Sequence, residues 1–380
     1  MAQASTETLA RTPLHALHAR LGAKFAPFAG WEMPVQYPAG ILAEHAAARE
    51  GAALFDVSHM GQVILRPRSG AVEDAARALE RLCPQDFLAL GTDRQRYAFF
   101  TNAEGGILDD LMVAKRPDHL FLVVNAANAA ADLAHLELFV ADACRIEHLT
   151  DRALIALQGP KAEAMLAACG ADLSGTKFMD VAEREIAGIP CWLTRSGYTG
   201  EDGFEISVPA DRAEALAEAL LAQGAQPAGL GARDSLRLEA GLCLHGSDID
   251  PGVTPVEAGL SWAIQKARRN GGDRQGGFPG ANRILSELEN GPRRLRVGLR
   301  PEGRAPMRAG TVLYPAETAD QPVGGVVSGT FGPTLGAPVA MAYVPAQLAE
   351  PGTRLWGEVR GRRLPALVAP MPFVPHRYKR

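Results

Sequence analysis

Past Gly291 the chain changes character, as short apolar runs cut by glycine and proline replace the longer periodic segments before it. The runs Leu295–Leu299, Thr311–Tyr314, Val323–Phe331, Val339–Val344 and Arg354–Val359 have strand length, with no long amphipathic helix among them. Strands this short, spaced this evenly, can bury an apolar face only by closing on one another, in a barrel or sandwich of roughly 90 residues. The change follows a stretch rich in glycine and arginine, Lys266–Gly277. The sequence therefore divides into a first region over 1–280, built of two intertwined subdomains, and a second over 281–380.

Before the break, helical and strand periods alternate. Val57–Arg66, Tyr97–Thr101, Ile107–Ala114, Leu120–Val124, Ala153–Gln158, Cys191–Thr194 and Phe204–Val208 read as strands. Helices are expected over Val72–Leu82, in an alanine-rich run ending near Val140, from Pro160 to Gly170, and over Asp211–Leu221 and Ala232–Ala240. Asn102 to Gly106, between two apolar runs, is a hairpin signal. This mixed order fits an α+β region followed by an all-β domain, not a doubly wound parallel sheet. No GxGxxG follows a strand and no GxxxxGK[ST] occurs, so flavin, nicotinamide and P-loop readings find no support.

With 39 basic and 43 acidic side chains, the net charge of −4 is too balanced for a general nucleic-acid or membrane binder. No apolar run approaches the ~20 residues of a membrane span. The five cysteines, at 83, 144, 169, 191 and 243, form no CxxC and no zinc-finger spacing. Free thiols in a reducing compartment and no metal are expected. Met1–Arg11 lacks the apolar core of a secretory signal, so the cytosol is the default location.

Several residues could carry chemistry. Asp109 and Asp110 follow the Gly105-Gly106 turn. On a strand their side chains point to opposite faces and should not share one site; otherwise both are turn residues. Arg195 to Glu205 brackets Tyr198 and three acids with glycines at 197, 200 and 203. Glu205 has opposite parity to Phe204 and Ile206. A carboxylate fixed there can accept two parallel N–H bonds from a planar edge such as that of a pterin or guanine. It reads equally as a solvated acid on a polar strand face. Arg233 falls in the first turn of a helix, where the dipole disfavours a cation unless an anion faces it or water covers it. Tyr97 and Tyr378 could stack, hydrogen-bond or simply pack. A hydrolytic dyad of Ser58 and His59 is excluded on a strand by alternation.

Taken in order, seven segments resemble the aminomethyltransferase, or T-protein, family of the glycine cleavage system. They are Gly30–Tyr37, Phe55–Gly61, Gly105–Leu111, Ser196–Glu201, Gly231–Ala240, Leu260–Trp262 and Ser328–Phe331. The likeness runs from about Thr12 to Tyr378. It implies a folate-binding α+β region with ferredoxin-like parts, then a C-terminal β-barrel. It also implies transfer of a methylene from aminomethyl-lipoyl H protein to tetrahydrofolate, giving 5,10-methylenetetrahydrofolate, ammonia and dihydrolipoyl H protein. Position by position, Asp110 is then the catalytic aspartate, expected to act as an ionised partner of the folate amines. Glu205 clamps the pterin edge, and Arg233 and Tyr378 fall at substrate-binding positions. Tyr97, Tyr198, Met60 and Trp262 line the pterin cavity, and Asn125 lies near the site.

The chain departs from the family at Ser196, where many relatives carry Thr, and in the long glycine-rich stretch Arg268–Gly277. The arginines at 268, 269, 293, 294 and 296 are expected either to meet an acidic face of H protein or to be solvated. Three other scaffolds share parts of this pattern. Sarcosine- and dimethylglycine-oxidising enzymes need a fused flavin domain for which this chain has no room. A sulfoniopropionate demethylase differs in substrate. Folate-binding iron–sulfur assembly proteins carry a cysteine where Gly197 stands.

Overall fold

The structure, a computed structural model, describes residues 8–380. Residues 1–7, on which the reading of the N-terminus partly rests, lie outside the described residues.

Two largely antiparallel sheets form the first region. One has five strands, in the order Arg94–Thr101, Ile107–Lys115, Leu120–Val124, Gly61–Pro67, Cys144–His148. The other has six, in the order Val181–Ile186, Ile189–Thr194, Gly203–Pro209, Arg152–Gln158, Ala53–Asp56, Gln226–Pro227, with only the last pair parallel. Strand alternation sorts the side chains. In the six-stranded sheet Leu54, Ile155, Leu157, Phe204 and Ile206 face the helices Ala162–Ala168 and Ala213–Ala222. Phe55, Leu154 and Ala156 face the opposite way, onto Ala232 and Leu236 of helix Leu230–Glu239. In the five-stranded sheet Val63, Phe100, Leu111 and Val113 pack on helices Val72–Leu79 and Ala129–Val140. Its other face, through Ile64, Ala114 and Phe121, meets Val181 and Trp192 of the second sheet.

The second region is a closed barrel of six strands: Arg294–Pro301, Ala337–Pro345, Gly324–Gly332, Val312–Tyr314, Arg354–Val359 and Arg362–Ala369. Leu299, Met307, Leu313, Ala340, Leu355 and Ala366 fill it. Closure settles barrel over sandwich. Helix Ala281–Asn290 precedes the barrel, and its Ile284 buries with Phe99 and Ile107 of the five-stranded sheet.

Local expectations differ from the structure at identifiable places. The strand expected over Val57–Arg66 begins only at Gly61, as Gly61–Pro67, and the strand before it, Ala53–Asp56, buried at every residue, was not expected. Between them the chain turns, with Met60 N donating to Val57 O at 3.0 Å. A four-residue run buried on both faces has no alternation to reveal it. Pro160 stands before its helix, which begins at Ala162. The hairpin of Lys24–Phe28 with Trp31–Gln36 and the strand Val181–Ile186 gave no recognised signal.

The 102–106 hairpin forms as expected: Asn102 N donates to Gly106 O at 2.9 Å, and Gly105 has φ 83°. Gly106 is required for a tertiary reason, because a Cβ there would sit 1.8 Å from the carbonyl oxygen of Pro251. Gly106→Ala should therefore cost about 3 kcal/mol of stability by overpacking. The measurement is a lowered denaturant midpoint at unchanged slope; an unshifted midpoint contradicts this account of the contact.

Among the described residues, no helix is long and apolar enough to cross a membrane.

Candidate functional site

Strand Ile107–Lys115 sets the site. Asp109 shares parity with Leu111 and points into the helical core at 0% exposure, while Asp110 lies on the other face, opposite Phe99. Tyr97 stands diagonally across the strand pair and donates its hydroxyl to Asp110 Oδ2 at 3.0 Å. Strand Leu120–Val124 ends where Val124 pairs with Leu111, so Asn125 is the first residue beyond the ladder. From that open end its Nδ2 lies 2.8 Å from Asp110 Oδ1 and 2.9 Å from Asp109 Oδ1. The expectation that the two carboxylates could not share a site is thus corrected. Alternation does separate them, but at a strand end one amide reaches both.

Asp109 is an acceptor on both oxygens, taking Asn125 N on Oδ2 at 3.1 Å and Asn128 Nδ2 on Oδ1 at 2.7 Å. Asn128 Nδ2 also lies 2.9 Å from His245 Nδ1, whose Nε2 is 3.3 Å from Ile107 O. In a neutral ring this pattern would place the proton on His245 Nε2. Burial pushes the Asp110 carboxyl up to about 6, aided by the charge of Asp109 and opposed by the Tyr97 hydroxyl, His245 and the Asn125 amide. Above Tyr97 stacks Trp262, ring centroids 5.6 Å apart and 65% exposed, at the rim.

A second group lies on the six-stranded sheet. Glu205 pairs across the ladder with Ala156 and therefore faces helix Leu230–Glu239, as its parity required. Among the described residues its one side-chain hydrogen bond, from Ser196 Oγ, is long at 3.4 Å. Arg233 sits in the first turn of that helix with its guanidinium 4.7 Å above the Tyr198 ring, and its Nη1 is buried without a partner. Burial raises Glu205 and lowers Arg233, and each charge partly offsets the other's shift. No ion pair joins them among the described residues, so two half-buried opposite charges feel each other while keeping free donor and acceptor atoms.

Tyr198 connects the groups. Its hydroxyl donates to the carbonyl of Cys243. Burial raises its pKa, and the charges of both Asp110 and Arg233 reach it. Met60, like Ala47 and Val123, packs against the core that seats the Arg233 helix. Tyr378 lies elsewhere, stacked on Phe178 at 4.0 Å and 7°, where burial pushes its hydroxyl up to about 12 and Arg49 and Glu201 are its charged neighbours. The structure therefore brings Tyr97, Asp110, Asn125 and Trp262 into contact, sets Arg233 over Tyr198 with Glu205 and Asp110 within reach of their charges, and leaves Met60 and Tyr378 outside these contacts.

Asn128, Asp132, His245 and His59 gave no usable signal in sequence. Only the asparagine after a strand, followed three residues on by another at a helix start, hinted at Asn128. His59 is buried with Nδ1 unpartnered, and burial together with Arg233 lowers its pKa to about 4.

Neither reading of the arginine-rich stretch, docking on H protein or plain solvation, describes Arg268 and Arg269, which are bonded internally. Arg268 is buried on Glu80 and the carbonyl of Gly276, and Arg269 donates to the carbonyls of Ile264 and Ser261. Arg294 bonds Glu257 and Arg296 the carbonyl of Ala258, leaving Arg293 exposed. Folding the segment back on the first region turns these cations into internal braces. At Gly197 a Cβ would lie 1.8 Å from Gln158 Oε1, so the cysteine of the iron–sulfur assembly proteins would need the buried Gln158 amide to move.

Two family models match the chain: the GCVT N-terminal domain over residues 14–268 and the glycine cleavage T-protein C-terminal barrel domain over 293–375. The mitochondrial aminomethyltransferase of Dictyostelium discoideum is 43% identical, covering 99% of this chain and 95% of its own. That of Gallus gallus is 45% identical, covering 98% and 94%. The crystal structure of glycine cleavage system aminomethyltransferase T from Bartonella henselae superposes with a TM-score of 0.91 at 44% identity, covering 98% of this chain and all of that one. An α+β region carrying an enclosed acid and a closed barrel, matched along its length in this way, defines a transferase of the glycine cleavage system. The family uses tetrahydrofolate as its substrate. The chain belongs to the aminomethyltransferase, or T-protein, family.

Proposed function

We propose that Asp110 acts at the reacting amines of tetrahydrofolate and Glu205 grips its pterin edge while a methylene arrives from the lipoyl sulfur of H protein. The supporting observation is the pair Glu205 and Arg233, half-buried, opposite in charge and unbonded to each other, near a Tyr198 that also feels the charge of a carboxylate held by Tyr97 and Asn125. An edge with adjacent N–H donors satisfies the two oxygens of Glu205. The unpartnered Arg233 Nη1 takes an acceptor atom of the same ligand. The folate supplies nucleophilic amines, and the chain's residues orient and polarise. Asp110, ionised at neutral pH, lies where it can receive a hydrogen bond from an amine gaining positive charge, and Tyr97 and Asn125 fix its two oxygens. In this reading Tyr198 and Trp262 provide apolar walls, while Met60 as a further wall and Tyr378 as a substrate-binding residue, both outside those contacts, rest on the family likeness alone. H protein as partner and a cytosolic setting complete the reading, with all five cysteines free.

Purified chain, tetrahydrofolate and aminomethylated H protein should give 5,10-methylenetetrahydrofolate and ammonia in equal amounts. Folate binding with no turnover in that mixture rejects the reading. Because the Asp110 pKa is raised and the ionised form is the active one, kcat/KM should fall as pH drops through about 6. An acid limb that persists unchanged in Asp110→Asn assigns that titration to another group.

A further inference from the structure

We propose that Asp132, on helix Ala129–Val140, is a positioning residue for this reaction, its protonated carboxyl donating to Asp109 so that Asp109 holds the Asn125 amide against Asp110. The inference deepens the function just proposed and rests on Asp110 being its working acid.

Asp132 is 4% exposed, and its Oδ2 is buried with no N–H or O–H donor to meet it. What it meets is the side chain of Asp109, within hydrogen-bonding reach. Two carboxyl groups in contact away from water need a proton between them, since two bare anions there repel strongly. Asp109 already accepts from Asn125 N, Asn125 Nδ2 and Asn128 Nδ2, so the proton belongs to Asp132. Burial, the bond to Asp109, and the charges of Asp109 and Asp110 all raise the Asp132 pKa well above the carboxylate range.

With that donor in place, Asp109 has its acceptor sites filled and cannot swing. Its Oδ1 then keeps the Asn125 amide turned nitrogen-first toward Asp110 Oδ1, leaving Oδ2 to Tyr97 and the substrate. The charged or titratable groups around Asp132 are Asp109 and Asp110 on the neighbouring strand, His245 behind Asn128, His135 one turn along the helix, and Cys83 with the Glu80–Arg268 pair. Burial lowers His135 and raises Cys83, so neither supplies a compensating charge at neutral pH.

Three readouts test this. Infrared difference spectra of the full-length protein at neutral pH should show a protonated-carboxyl C=O band that is lost in Asp132→Asn; no loss of such a band overturns the proposal. Asp132→Ala should lower kcat about tenfold, with the folate KM within about twofold and the acid limb moved to higher pH, because Asp109's charge is less screened. Asp132→Asn, which keeps an N–H donor and no charge, should recover kcat to within about threefold of wild type with the limb restored. A purely structural role predicts a lower melting temperature but wild-type kcat per folded molecule, KM and pH profile in Asp132→Ala, and that result rejects the proposal. So does an acid limb moved to lower pH in Asp132→Asn, the mark of a lost negative charge. If Asp132→Ala does not fold, the asparagine variant and the infrared band decide. If Asp110→Asn keeps full activity, the reading of Asp110 falls, while the infrared band still reports whether Asp132 holds the proton.

Discussion

Asp110→Asn should lower kcat by about two decades or more while changing folate affinity only a few-fold. Both Asp110 oxygens are occupied by donors, Tyr97 on one and the Asn125 amide on the other. An asparagine offers one oxygen and one NH2, so one of those contacts becomes donor against donor unless the Tyr97 hydroxyl turns. The ground-state fit should survive that adjustment if, as proposed, the ligand is gripped chiefly at Glu205 and Arg233. What disappears is the negative charge beside an amine that becomes positive on attack, an interaction worth little in the ground state and most in the transition state. Steady-state kinetics with aminomethylated H protein separate the two. A loss confined to KM would move Asp110 from chemistry to binding, and near-wild-type turnover would remove it from the mechanism.

Glu205→Gln should act in the opposite way, raising the folate KM or Kd about tenfold to a hundredfold with kcat within a few-fold. Hydrogen bonds to a charged acceptor contribute about 1.5–3 kcal/mol, and the amide replaces one acceptor oxygen by a donor aimed at donors. The change also leaves Arg233 half-buried without its compensating anion, although the guanidinium keeps the Tyr198 face beneath it. Isothermal titration with tetrahydrofolate measures the loss directly. Equal affinity in the variant and wild type places the pterin elsewhere. An equal loss in kcat and kcat/KM would show that Glu205 contacts the transition state rather than the bound substrate.

Each half of the site was legible to a different degree. Glu205 could be placed from parity alone, since a strand with Phe204 and Ile206 in one core must send it to the other face. Asp110 was legible as one of two acids after a glycine turn, but which of them was free depended on the register of three strands. Asn125 as the shared clamp was not legible at all. The end of strand Leu120–Val124 just before it was legible, but its role depends on the register that sets Val124 against Leu111 on the neighbouring strand, which no local pattern encodes. The arginine-rich stretch misled because charge composition does not say whether a guanidinium meets solvent or a carbonyl. The seating of the barrel depends on another unreadable feature. Arg49 bonds Glu201 and Glu239 at 2.9 Å each, and His45 Nε2 lies 2.7 Å from Thr334 Oγ1 next to the barrel strands. Burial alone would raise Glu239; His45, Thr334 and Arg49 instead hold it down to about 2. These partners lie 152, 190 and 289 residues apart in the chain.

The sequence by itself determined what period and turn chemistry can write: the two-region division, the short-stranded C-terminal domain, the 102–106 hairpin, and the face on which Glu205 stands. Such features depend on neighbours a few residues apart, whose geometry the backbone fixes. Only the tertiary structure decided which acid is shared, which amide joins it, and which cations serve as internal braces. Those outcomes depend on where separate segments end against one another, and a hydrogen bond between distant residues is set by packing to a fraction of an ångström, which no pattern along the chain records.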